Sequence, residues 1–128
     1  MAKESIKLAG QSGLAIAASV EGASDGMPVI LAHGGGQTHR AWKRVSTLLA
    51  SHGFHAIALD LRGHGNSEWA KDGAYDIADF AGDLIAIAAR LERKPALIGA
   101  SLGGLAGIMA EGHLAPGSFA SLTLVDIT

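Results

Sequence analysis

The 128-residue sequence predicts an α/β fold, with an N-terminal antiparallel hairpin followed by a mostly parallel sheet that carries helices on both faces. Three observations carry that expectation. Short runs rich in Val, Ile, Leu and Ala recur along the chain, as strands buried on both faces require. Segments with apolar residues at helical spacing separate them. Glycine-rich loops fall where the strands end, the place where ligands bind in such sheets.

Ser5 to Ala9 alternates Ile6 and Leu8 with polar neighbours, and together with Leu14 to Val20 it flanks the turn Gly10-Gln11-Ser12-Gly13, so the two read as the hairpin. After the turn residues Ser24-Asp25-Gly26, four segments read as buried strands: Pro28 to Ala32, His55 to Leu61, Pro95 to Ala100 and Ser121 to Ile127. Between them, Trp42, Val45, Leu48 and Leu49 fall on one helix face, and Gly53 stands where that helix would stop. Ile77, Phe80, Leu84, Ala88 and Leu91 form a second stripe, with Asp76 and Asp79 at its positive end and Pro95 beyond its close. Leu102 to Glu111 reads as a third helix, rich enough in glycine to suit close packing on a sheet better than isolation in water.

A chain of this length buries about two thirds of its unfolded surface, enough for one domain with a true core. With 48% hydrophobic residues, 17% charged and a net charge of -2, the sequence has no basic excess with which to hold nucleic acid or an anionic membrane. It has no cysteine, which excludes disulfides and thiolate metal sites. No apolar run approaches a membrane span and no signal core follows Met1, so the expectation is a cytoplasmic protein with no membrane partner.

Three loops leave the carboxyl ends of the expected parallel strands: His33-Gly34-Gly35-Gly36, Asp60-Leu61-Arg62-Gly63-His64-Gly65-Asn66-Ser67, and Gly99-Ala100-Ser101-Leu102-Gly103. The last sits where a strand gives way to a helix within one residue. Such a turn strains the central serine and brings strand and helix into contact, so the residues two before and two after it must be tiny, as Gly99 and Gly103 are. Ser101 is therefore the candidate nucleophile. Acyl transfer to a serine needs donors aimed at the developing oxyanion, and backbone N–H groups serve best where no side chain obstructs them. The Gly34 to Gly36 run gives that access, and Leu102 opens the next helix, whose unpaired N–H groups favour negative charge. Gly35 and Leu102 are the expected donors, with Gly36 next after Gly35.

In these three loops the chain resembles the first half of an α/β-hydrolase fold protein, of the esterase, haloperoxidase-like and epoxide-hydrolase-like branch. His33-Gly34-Gly35 is similar to the family's oxyanion loop, Asp60 to Ser67 to its D-x-R-G-x-G-x-S loop, and Gly99 to Gly103 to its nucleophile elbow. The resemblance implies a serine attacking an ester or related small acyl substrate through an acyl-enzyme, with a histidine as general base, an acid orienting it and no cofactor. It implies that His33 shapes the oxyanion loop. Epoxide hydrolases and haloalkane dehalogenases of the family use an aspartate nucleophile, and Ser101 argues against both.

The family orders its triad serine, acid, histidine, whereas the only histidine after Ser101 is His113, about 18 Å away if the helix ran that far. Residues 1-128 are thus expected to be the N-terminal part of a single α/β-hydrolase domain without its cap region and last strands, inactive alone for want of a base. Asp126 stands where some branches place the catalytic acid and others a structural aspartate. The alternative is a non-catalytic binding module of the same fold. Ser101 as a plain helix N-cap is the ordinary reading of that serine. His64 and Arg62 are expected to brace their loop. His52 and His55 lack a metal motif, so no metal is expected. If the strand Ser121 to Ile127 is internal in the family, its outer edge would here be bare, and the chain is expected to self-associate through it.

Overall fold

The computed structural model describes residues 3–126. Six strands form one mixed sheet: β1 (Glu4–Ala9), β2 (Ala15–Glu21), β3 (Pro28–Ala32), β4 (His55–Leu59), β5 (Ala96–Ala100) and β6 (Ser121–Val125). Their spatial order is β1-β2-β4-β3-β5-β6. β1 and β2 make the expected hairpin, Glu4 opposite Val20, and β2 pairs antiparallel with β4. From β4 onward every pairing is parallel.

Helices cover both faces. α1 (Lys43–Ser51) packs Val45 and Leu49 on a cluster of Val29, Leu31, Trp42, Ala56 and Ala58. On the other face, α2 (Ile77–Ala89) and α3 (Leu102–Met109) bury Phe80, Leu84, Ile87 and Ala106 against Ile16, Ile30, Ile57, Leu59 and Leu97. Alternate residues of β3 thus feed two cores, Ile30 one and Leu31 the other, as the period of two dictates. α2 opens with a capping box in which Asp76 N–H donates to the Asp79 carboxylate at 3.0 Å.

Four expectations shift. β4 ends at Leu59, not Leu61; Asp60 N–H still bonds β2, at the Ala17 carbonyl 2.8 Å away, and the chain then enters the loop. Leu48 is 60% exposed, since α1 starts only at Lys43 and presents Val45, Ser46 and Leu49 inward. α3 passes at Ala110 into a π-helical turn, Ala110–Leu114, instead of continuing straight to Glu111. β6 is not buried on both faces: it is the last strand of the described sheet, with Leu124 44% exposed and only β5 beside it. Ile127 lies outside the described residues.

Candidate active site

β3, β4 and β5 run parallel, so the loops that leave their carboxyl ends share one edge of the sheet. Ser101 follows β5 at φ 50° and ψ −113°, a left-handed backbone that a side chain other than glycine's adopts only under strain. Neighbouring bonds hold it there. Its N–H donates to Val125 O at 3.2 Å, its carbonyl accepts from Leu105 N–H at 2.9 Å, and Gly103 N–H donates to His33 O at 3.1 Å. The flanking glycines are a steric necessity: a β-carbon on Gly99 would stand 2.6 Å from Gly103 O, and one on Gly103 would run into the Ala32 carbonyl. Ser101 is exposed and its side chain makes no capping bond to α3, which removes the plain N-cap reading.

The loop after β3 lies against this serine. A β-carbon on Gly34 would stand 3.4 Å from Ser101 Cβ, and one on Gly35 would be 3.8 Å from Leu102 Cδ2. The three glycines differ in where their N–H groups go. Gly34 donates to Gln37 Oε1 at 3.0 Å, and Gly36 to His64 Nε2 at 3.0 Å. The Gly36 N–H is therefore already engaged by a ring nitrogen on the neighbouring loop. Among the described residues, the N–H groups of Gly35 and Leu102 have no partner.

Buried polar groups brace the loops. His33 is fully buried, donates from Nδ1 to Gly34 O at 2.7 Å and accepts Leu61 N–H on Nε2 at 3.0 Å, which joins the β3 and β4 loops. Burial holds its imidazole below the usual histidine range, against the opposite pull of the Gly34 carbonyl. With both ring nitrogens occupied, His33 has no lone pair to offer Ser101.

Asp60, 1% exposed, accepts His39 N–H at 2.7 Å, the His39 ring at 2.8 Å and Asn66 N–H at 3.0 Å. Burial pushes its carboxyl up, but these donors outweigh burial and hold it below the ordinary carboxylate range. Arg62 reaches both Asp83 oxygens on α2, at 2.7 and 2.8 Å, and Ala74 O at 2.8 Å. The Asp83 carboxylate holds its guanidinium above the usual value despite burial. Arg62 and His64 thus brace their loop as expected, while Gln37, His39, Asn66 and Asp83 are braces that sequence reasoning missed. Only Asp83 left a signal, a carboxylate on the apolar face of α2.

Asp126 is exposed, at φ 51°, one residue past the carbonyl that receives Ser101 N–H. His113 lies exposed on the π-helical turn, away from the strand ends. Among the described residues no histidine bonds the Ser101 hydroxyl, and no three metal-ligating side chains cluster. None of the described helices is long and apolar enough to cross a membrane.

The alpha/beta hydrolase family model matches residues 29–127, which include all three loops. The chain belongs to the α/β-hydrolase family. It is 39% identical over 103 residues to an esterase of Mycobacterium tuberculosis, covering 78% of this chain and 33% of the relative. To a non-heme chloroperoxidase of Streptomyces lividans it is 34% identical over 106 residues, covering 82% and 38%. An α/β hydrolase from Novosphingobium aromaticivorans superposes with a TM-score of 0.84 at 28% identity, over 100% of this chain and 46% of that one. Epoxide hydrolase A from Mycobacterium thermoresistibile gives 0.86 at 26% identity, over 96% and 39%. The chain thus spans between a third and two fifths of the length of these two curated relatives. Family and fold accord with the resemblance read in the three loops.

Proposed function

We propose that the whole protein is a serine hydrolase that cleaves a carboxylic ester, or a similar small acyl compound, through an acyl-enzyme on Ser101. The observation that carries this reading is the meeting of the strained, exposed Ser101 with two unpartnered N–H groups, Gly35 and Leu102. Attack of the hydroxyl oxygen on the acyl carbon turns the carbonyl oxygen into an anion, and donors already oriented toward it stabilise that charge without reorganising. The serine proton passes to a general base, which returns it to the leaving alcohol; water then repeats the sequence to release the acid.

His33 is proposed to shape the donor loop and not to act as the base, since both its nitrogens are bound to backbone. The base is proposed to come from outside these 128 residues, in keeping with the third to two fifths of the relatives' length that they span. Asp126 is a proposed acid on its position alone. The absence of a described histidine at Ser101 favours one other reading, a binding module of the same fold without turnover. Mass spectrometry separates the two. In the protein that carries the C-terminal part, incubation with a p-nitrophenyl ester should add one acyl group to Ser101 and none to Ser101→Ala; ligand binding with no serine acylation in that same protein supports the module instead.

A further inference from the structure

We propose that His64 is a positioning residue for the oxyanion loop, holding Gly36 back so that Gly35 alone of the three glycines presents its N–H to Ser101, and that it does so only while uncharged. The inference rests on the proposed role of Ser101. Its geometric basis is independent of that role. The His64 ring sits between two backbone groups of opposite kind: Nδ1 lies 2.9 Å from Arg62 O, and Nε2 lies 3.0 Å from Gly36 N. A carbonyl only accepts, so Nδ1 carries the proton; the lone pair on Nε2 then receives the Gly36 N–H. One neutral tautomer satisfies both partners and no other form does.

The consequence for the loop is specific. Gly36 is exposed at φ 79° and has no side chain whose packing could fix it. The loop is anchored by His33 and by Gln37, whose side chain accepts Gly34 N–H and whose own N–H closes a turn onto Gly34 O at 3.1 Å; within that turn the His64 bond is the one that holds the Gly36 N–H. Protonation at Nε2 would set a donor against the Gly36 donor. The bond would break, and Gly36, next to Gly35 in the turn, would lose the partner that fixes its N–H.

The groups around the ring leave it this function. His33, on the loop after β3, stands 5.0 Å away between centroids, its imidazole held below the usual histidine range by burial. Phe80 of α2 packs at 6.4 Å and bears no charge. Tyr75, before α2, stacks on Phe80 and gives its hydroxyl to Ala70 N–H as an acceptor. On its own loop, Asp60 is engaged by His39 and Asn66, and Arg62 by Asp83 of α2, with Asp79 further along that helix in the capping box. Among the described residues no carboxylate bonds the ring.

The test uses NMR and fluorophosphonate labelling across pH on the protein that carries the C-terminal part, as wild type, His64→Leu and His64→Gln, the glutamine carbonyl being able to reach the Nε2 position without titrating. In the wild type, Gly36 amide protection and the labelling rate should fall together as the His64 ring resonances report protonation. His64→Leu should lack the protection at every pH and label roughly ten- to a hundredfold more slowly, short of the hundred- to thousandfold that removal of a donor outright costs. His64→Gln should recover most of the rate and lose the dependence on His64 titration. Unchanged labelling in a folded His64→Leu, or a Gly36 amide indifferent to His64 protonation, overturns the proposal. Failure of the Ser101 reading looks different: Ser101→Ala would then label like the wild type, while the Gly36 amide would still report whether His64 holds it.

Discussion

The β4 side and the β5 side of the candidate site are held by different physics. Around Asp60 to Ser67 the chain is fixed by directional polar bonds: the carboxylate of Asp60 gathers His39 and Asn66, and Arg62 is clamped on Asp83. Around Gly99 to Gly103 the bonds run from backbone to backbone, and at Gly99 and Gly103 the chain is packed so closely that a side chain would collide. A polar brace tolerates shape changes but not loss of a partner. A glycine contact tolerates no loss of space. The two sides should therefore fail under different substitutions, and that difference orders the predictions.

The largest effect belongs to the packed side. Gly103→Val places a branched side chain in the Ala32 carbonyl, so α3 cannot keep its approach to β3. Loss of cooperative unfolding by circular dichroism, and of Ser101 labelling with it, is the expected outcome; a melting temperature equal to wild type would contradict the elbow packing. On the braced side, Asp83→Ala leaves Arg62 buried without its partner and strips the acceptor from Gln11 N–H, 2.8 Å away. A penalty of about 3–5 kcal/mol in urea denaturation is expected. A variant within about 1 kcal/mol of wild type would show that the pair is solvated in solution.

Acid should weaken the braced side first. His33 titrates below its ordinary 6.5 in the fold, so between that value and its lowered folded value the unfolded chain binds the extra proton and stability falls as pH falls. Asp60 has the same sign in a lower window: its contribution is complete above 3.8 and is lost as pH falls through its depressed folded value. Urea midpoints should thus decline below about pH 6.5, and His33→Gln should lose the upper part of that decline even though it is less stable throughout. A wild-type midpoint that is flat from pH 7.5 to below 6 would contradict the neutral, doubly bonded His33.

The smallest effect on stability is expected at β6. Leu124 is 44% exposed on a strand with one neighbour, and we propose that this edge pairs with a second copy. Leu124→Lys should change stability by no more than about 0.5 kcal/mol while reducing the apparent mass by light scattering. Equal association in the variant would place the contact elsewhere.

The packed side was the more legible in sequence, because its requirement is local: tiny residues two positions either side of a serine between a strand and a helix. The braced side was legible only in outline. Asp60 and Arg62 stood out as loop residues, but their partners lie 21 residues away, at His39 and Asp83, and nothing in either local pattern points across that gap. Gly36 shows the same limit. Three consecutive glycines look alike as donors until the fold brings His64 to one of them and Gln37 to another.

A crystal structure of Ser101 phosphonylated by a fluorophosphonate tests most directly whether serine and loop face one point. The adduct's phosphoryl oxygen should lie about 2.7–3.1 Å from both Gly35 N and Leu102 N, with Gly36 N still on His64 Nε2. An oxygen turned away from Gly35, or held by Gly36 with His64 displaced, would contradict the assignment of the oxyanion donors; an adduct on any residue other than Ser101 would contradict the site itself.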